Sequence, residues 1–115
     1  MTEAGLVVFS TAPDEEVASS IAAALVGKKL AACVNILGSV RSVYWWDEQV
    51  QNDSEVLMIC KTDAEHLDSM TRAILELHPY DCPEVVALSI VGGAPDYLAW
   101  IRDSLSDPEA EGETS

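Results

Sequence analysis

Leu30-Ala31-Ala32-Cys33-Val34-Asn35-Ile36-Leu37-Gly38-Ser39-Val40-Arg41-Ser42-Val43-Tyr44-Trp45-Trp46 is a run of seventeen residues that are mostly β-branched, aromatic or small. Such residues suit a pleated strand, and Gly38-Ser39 supplies a bend or bulge within it. Strands in small sheets average about 5 to 6 residues, each rising about 3.3 Å, so this one must project beyond its own domain. Asp47-Glu48 and Gln51-Asn52-Asp53 read as the loop region of a hairpin, and Glu55 to Lys61 returns as the next strand.

The flanking segments place this hairpin at the centre of a repeat of form. Leu6-Val7-Val8-Phe9 is a short apolar run before Ser10-Thr11-Ala12-Pro13, which suits a buried strand. Pro13 fits a first helical position, with Asp14, Glu15 and Glu16 complementing the dipole and Val17, Ile21, Ala24 and Leu25 at helical spacing. That helix stops near Gly27, with Lys28 and Lys29 at its negative end. Thr62-Asp63-Ala64-Glu65 matches a capping box, and Leu67, Met70, Ile74 and Leu77 form an apolar stripe that His78-Pro79 ends. Glu84 to Val91 reads as strand four, Gly92-Gly93 breaks it, and Pro95 to Leu105 carries Leu98, Ile101 and Leu105 on one face of a last helix. The order β-α-β-β-α-β plus a short helix is the ferredoxin-like, α+β sandwich: an antiparallel sheet backed by two helices. No cysteine spacing for an iron–sulfur cluster accompanies it.

Composition bounds the partners. The 115 residues, 49% hydrophobic, suffice for one core, and the expectation is a single domain over 1–105. Asp107, Glu109, Glu111 and Glu113 follow without basic residues, so 106–115 is expected to be a disordered acidic tail. With 6 Lys and Arg against 20 Asp and Glu, a net charge of −14 repels phosphate backbones and anionic lipid, and neither nucleic acid nor membrane is an expected partner. Met1 to Gly5 shows no basic region ahead of a long apolar stretch, and Cys33, Cys60 and Cys82 form no C-x-x-C pair, so the expected setting is the cytoplasm with reduced thiols.

The projecting hairpin carries Val43, Tyr44, Trp45 and Trp46. An apolar strand edge left in water invites pairing with another chain, which a closed symmetric oligomer satisfies. The competing reading is a bulged strand that curls back through Gly38 onto its own core.

Thr11-Ala12-Pro13-Asp14, Lys29 to Asn35, Ser42 to Trp46, Lys61-Thr62, His78 to Glu84 and Tyr97 to Ile101 together resemble the signature segments of the CutA family, in its order and spacing, over residues 6–105. The resemblance implies a homotrimer whose long hairpins pair between subunits, an architecture similar to the PII signalling proteins, and a role in tolerance of divalent metal ions such as copper. Trimer contacts are then expected at Val43, Tyr44, Trp45, Trp46 and Trp100.

The chemistry is sparser. No G-x-S-x-G, P-loop, G-x-G-x-x-G or H-E-x-x-H occurs, and the turn Ser10 to Asp14 is acidic where an anion cradle would need cations, so catalysis is not expected. His78 and Cys82, beside Asp81 and Glu84, could share a soft divalent ion if their loop folds inward; His66 is the other imidazole. Against this, His78 serves as well as a helix-end donor, and Cys82 as a small buried hydrophobe. Some members of the family carry a Cys near the end of strand one and a His-His pair before Pro-Tyr; those positions here are Ser10 and Leu77-His78. The expectation is therefore no required cofactor and, at most, weak Cu²⁺ association. A second reading gathers Cys33, Asn35, Trp46, Lys61, His78, Tyr80 and Glu84 at strand ends into a small-ligand pocket at a subunit boundary; its competitor makes Lys61 and Glu84 an interface ion pair. A third reading is a structural trimer that presents its tail or hairpin tips to a protein partner.

Overall fold

A computed structural model describes residues 5–106; the expected acidic tail falls almost wholly outside them. Seven elements follow in the order β1 (Leu6–Ala12), α1 (Glu15–Gly27), β2 (Cys33–Trp46), β3 (Gln49–Thr62), α2 (Leu67–Leu77), β4 (Val86–Ser89) and α3 (Pro95–Leu105). The sheet order is β2-β3-β1-β4, every adjacent pair antiparallel, which is the ferredoxin-like topology expected from the sequence.

Alternation sorts the sheet into two faces. Leu6, Val8 and Ala12 of β1 and Val56, Met58 and Cys60 of β3 are buried with Ala18, Ile21 and Leu25 of α1 and Met70 and Ile74 of α2. A smaller cluster joins Ala32 to Ile101 and Leu105 of α3. The opposite face is open: Val7, Phe9, Leu57 and Ile59 are half-buried, and Leu37, Val86 and Leu88 are exposed.

Within the hairpin β2 is shorter than expected, beginning at Cys33 and not Leu30, while β3 is longer than its composition suggested. Gln51, Asn52 and Asp53 are paired strand residues, opposite Tyr44, Val43 and Ser42, and β3 begins at Gln49. The turn is confined to Asp47 and Glu48, both left-handed (φ 53° and 59°), as a two-residue turn of the twist-matching kind requires. Side chains reinforce the pairing: Arg41 donates to Asn52 Oδ1 from Nε (3.1 Å) and Nη2 (2.6 Å), and the Tyr44 hydroxyl donates to Asp53. The expected bulge is present, since Leu37 faces Leu57 and Val40 faces Glu55, so Gly38 and Ser39 together oppose Val56. Because β1 last pairs β3 at Ala12–Val56, residues 49–55 of β3 have β2 on one side and no described strand on the other. The molecule is accordingly elongated, 54 × 27 × 22 Å.

Local signals needed revision elsewhere. Asp14 caps α1, its carboxylate accepting from Val17 N at 2.8 Å, so Pro13 precedes the helix and does not occupy its first position. The capping box at Thr62–Glu65 does not form: the Thr62 hydroxyl donates to the Leu30 carbonyl at 2.7 Å, while Asp63 accepts from the backbone N of His66 at 2.9 Å. β1 extends past Phe9 to Ala12, and β4 is limited to Val86–Ser89, the span that pairs with β1. No described helix is long and apolar enough to cross a membrane.

Candidate functional site

The outer hairpin and the loop between α2 and β4 enclose a cleft of about 810 Å³. Residues opposite one another in a ladder share a face, so Ser42, Tyr44 and Trp46 of β2 line it together with Asp53 and Glu55 of β3. Thr11 at the end of β1 and Pro79 to Cys82 and Glu84 of the loop complete it.

His78 fixes that loop. It is buried, its Nε2 lies 2.6 Å from the Thr11 carbonyl, and its Nδ1 lies 3.1 Å from the backbone N of Tyr80. A carbonyl only accepts and an amide N–H only donates, so the ring is neutral with its proton on Nε2. Both nitrogens are thereby engaged, and a metal ion at His78 would have to displace one of these bonds. Its side chain reaches across to β1, not to the carbonyls of its own helix. Cys82 is exposed, not a buried hydrophobe.

Tyr80 stacks obliquely on the His78 ring (4.6 Å between centroids) and donates from its hydroxyl to Glu55 Oε2 at 3.0 Å. Burial, and then the adjacent Glu55 carboxylate, push its phenol up to about 12. The Tyr44 phenol is likewise raised, chiefly by its hydrogen bond to Asp53.

The remaining candidates lie apart. Cys33, Asn35 and Lys61 form a separate group on the open sheet face, where Lys61 Nζ donates to Asn35 Oδ1 at 2.5 Å and sits 4.0 Å from Cys33 Sγ. Among the described residues no ion pair joins Lys61 to Glu84 within the chain. The seven pocket candidates thus divide: Trp46, Tyr80 and Glu84 line the cleft, His78 props it from behind, and Cys33, Asn35 and Lys61 lie elsewhere. Sequence reasoning missed Thr11, Arg41, Asp53 and Glu55. The available signal was spacing: with β3 extended back to Gln49, Asp53 and Glu55 stand two apart and face the same way.

One described group of three metal-ligating side chains, Asp63, Glu65 and His66, brings its ligand atoms within 4.8 Å of one another; His78 and Cys82 are not among them. The residues expected at a trimer interface are exposed in the single chain: Val43 64%, Tyr44 42%, Trp45 70%, Trp46 55% and Trp100 45%.

The fold and the sequence lead to the same relatives. Residues 6–104 match the model of the CutA1 divalent ion tolerance protein family. Protein CutA 1, chloroplastic, of Oryza sativa subsp. japonica is 45% identical over 103 residues, covering 90% of this chain but only 58% of that protein. The divalent-cation tolerance protein CutA of Thermus thermophilus is 45% identical over 98 residues, covering 85% and 95% respectively. The chain thus spans little more than half the length of the rice relative and nearly all of the bacterial one. The crystal structure of CutA1 from Oryza sativa superposes with a TM-score of 0.87 at 44% identity, covering 90% of this chain and 94% of that one. On a match that runs from the first residue of β1 into the last turn of α3, the chain belongs to the CutA1 divalent ion tolerance protein family.

Proposed function

We propose that the chain acts in divalent-cation tolerance as a non-catalytic homotrimer whose hairpins pair between subunits. One observation carries this reading. Beyond the last β1 pair, Val43, Trp45 and Val50 lie on one face of the hairpin, exposed by 64%, 70% and 65%, next to a β3 edge that no described strand covers. An exposed edge of that length flanked by apolar side chains invites pairing with another chain, and a closed oligomer covers it. Association with divalent ions is proposed to be weak and general, drawn by the −14 charge and diminished as salt screens it. The proposed compartment is the cytoplasm, in keeping with the three free cysteines. The test is complementation: a bacterial strain lacking its own copy of this gene family, challenged with copper, regains growth with the wild-type chain and not with Trp45→Asp. Equal growth with both would defeat the trimer as the working form.

A second reading is favoured by the cleft itself, whose volume of about 810 Å³ is that of a small-molecule site. It is proposed as a ligand pocket at the subunit boundary, open to the neighbouring hairpin.

A further inference from the structure

Glu55 is 9% exposed and lines the cleft, yet among the described residues it has no cationic partner. The ion pairs among the described residues are His66–Asp63 and Arg102–Asp103, and neither involves a cleft residue. The side-chain group that meets Glu55 is the Tyr80 phenol, a neutral donor. Asp53, next along the same face, is likewise met by a phenol, that of Tyr44. Asp81 and Glu84 add two further carboxylates at the rim. Among the described residues Arg41 is the sole cation of the lining, and its guanidinium is turned to Asn52 by two hydrogen bonds. A carboxylate withdrawn from water without a counter-charge is costly, and a cation delivered from outside relieves that cost. The rings of Tyr44, Trp46 and Tyr80 add π faces, which attract the same sign of charge and suit an apolar body.

We propose that the cleft binds a small organic cation, a protonated amine on a flat apolar body, with Glu55 as its principal counter-charge and Trp46 as its platform. The inference rests on reading the cleft as a ligand pocket, and it assigns the ligand class: amines are admitted, while nucleotides and other anions are rejected by four carboxylates against one engaged arginine.

The experiment is isothermal titration of the full chain at low salt with three probes of one shape, phenethylamine, 2-phenylethanol and 3-phenylpropionate, with ATP as a fourth. Phenethylamine is expected to bind more tightly than the alcohol, with the carboxylate and ATP not binding. Glu55→Gln is expected to weaken the amine about tenfold or more while leaving the alcohol unchanged. Should that variant not fold, the exposed Glu84→Gln takes its place, with a smaller loss of the amine's advantage. Equal binding of amine and alcohol, binding of ATP, or an amine affinity unchanged in the folded variant overturns the inference and leaves the pocket standing. Failure of all four probes to bind removes the pocket and the inference with it.

Discussion

The Nε2–H of His78 donates to the carbonyl oxygen of Thr11 at 2.6 Å, joining the end of α2 to the end of β1 across sixty-seven residues of sequence. With Nδ1 accepting from Tyr80 N, one buried ring satisfies two backbone groups and sets the loop that lines the cleft. His78→Ala leaves both groups without their partner, and a loss of roughly 2–4 kcal/mol is expected in urea unfolding. A loss below about 1 kcal/mol would show that water replaces the ring at little cost.

Ser10 poses the opposite case. Its hydroxyl is fully buried in the helix-covered core and is the one such side-chain atom among the described residues without a hydrogen-bond partner. Ser10→Ala removes the unsatisfied group and is expected to raise stability by about 1 kcal/mol. A fall in melting temperature would show that the hydroxyl is satisfied, by a buried water for instance.

At the hairpin tip, Glu48 is left-handed at φ 59° without the glycine that this turn position favours. Relief of that conformation in Glu48→Gly is expected to stabilise the protein by about 1 kcal/mol. An unchanged or lower melting temperature would mean that the Glu48 side chain makes a compensating contact.

Alkaline pH should act through Tyr80. Its phenol moves from near 10 up to about 12 on folding, so the protonated form is the one the fold favours. The associated stability is complete below the unfolded value and is lost as pH climbs from about 10 through about 12. Cys60, pushed by burial up to about 12, works in the same direction from about 9 upward. Melting temperatures measured from pH 8 to 12 should fall less steeply in Tyr80→Phe than in wild type; parallel curves would remove Tyr80 from the account.

The contrast between legible and hidden features has a physical origin. Strand one, the stripes Ile21–Leu25 and Met70–Ile74, and α3 were readable because burial forces a period on apolar residues. The outer hairpin obeys no such constraint within one chain: both its faces are largely exposed, so Gln51-Asn52-Asp53 carry a loop's composition while their backbone pairs as a strand. Thr62 belonged by motif to a cap, but a carbonyl thirty-two residues away, that of Leu30, took its hydroxyl. In the cleft, Trp46, Tyr80 and Glu84 were legible as polar or amphipathic groups at strand ends and turns. Glu55 was hidden in what read as an ordinary strand start, and His78 depended on partners that only the fold brings near.

Assembly is the central claim, and light scattering across a dilution series, paired with thermal melts, tests it most directly. Val43, Trp45 and Val50, with Trp45 alone able to bury about 150–250 Å² at roughly 25 cal/mol per Å², would contribute several kcal/mol per subunit, enough to resist dilution. Trp45→Asp places a charge in that seam and is expected to abolish both the assembly and the cooperative melt. The predicted wild-type mass is three times the 12.4 kDa of one chain, unchanged to micromolar concentration. A wild-type mass of a single chain, or a fully stable monomeric Trp45→Asp, would contradict the account.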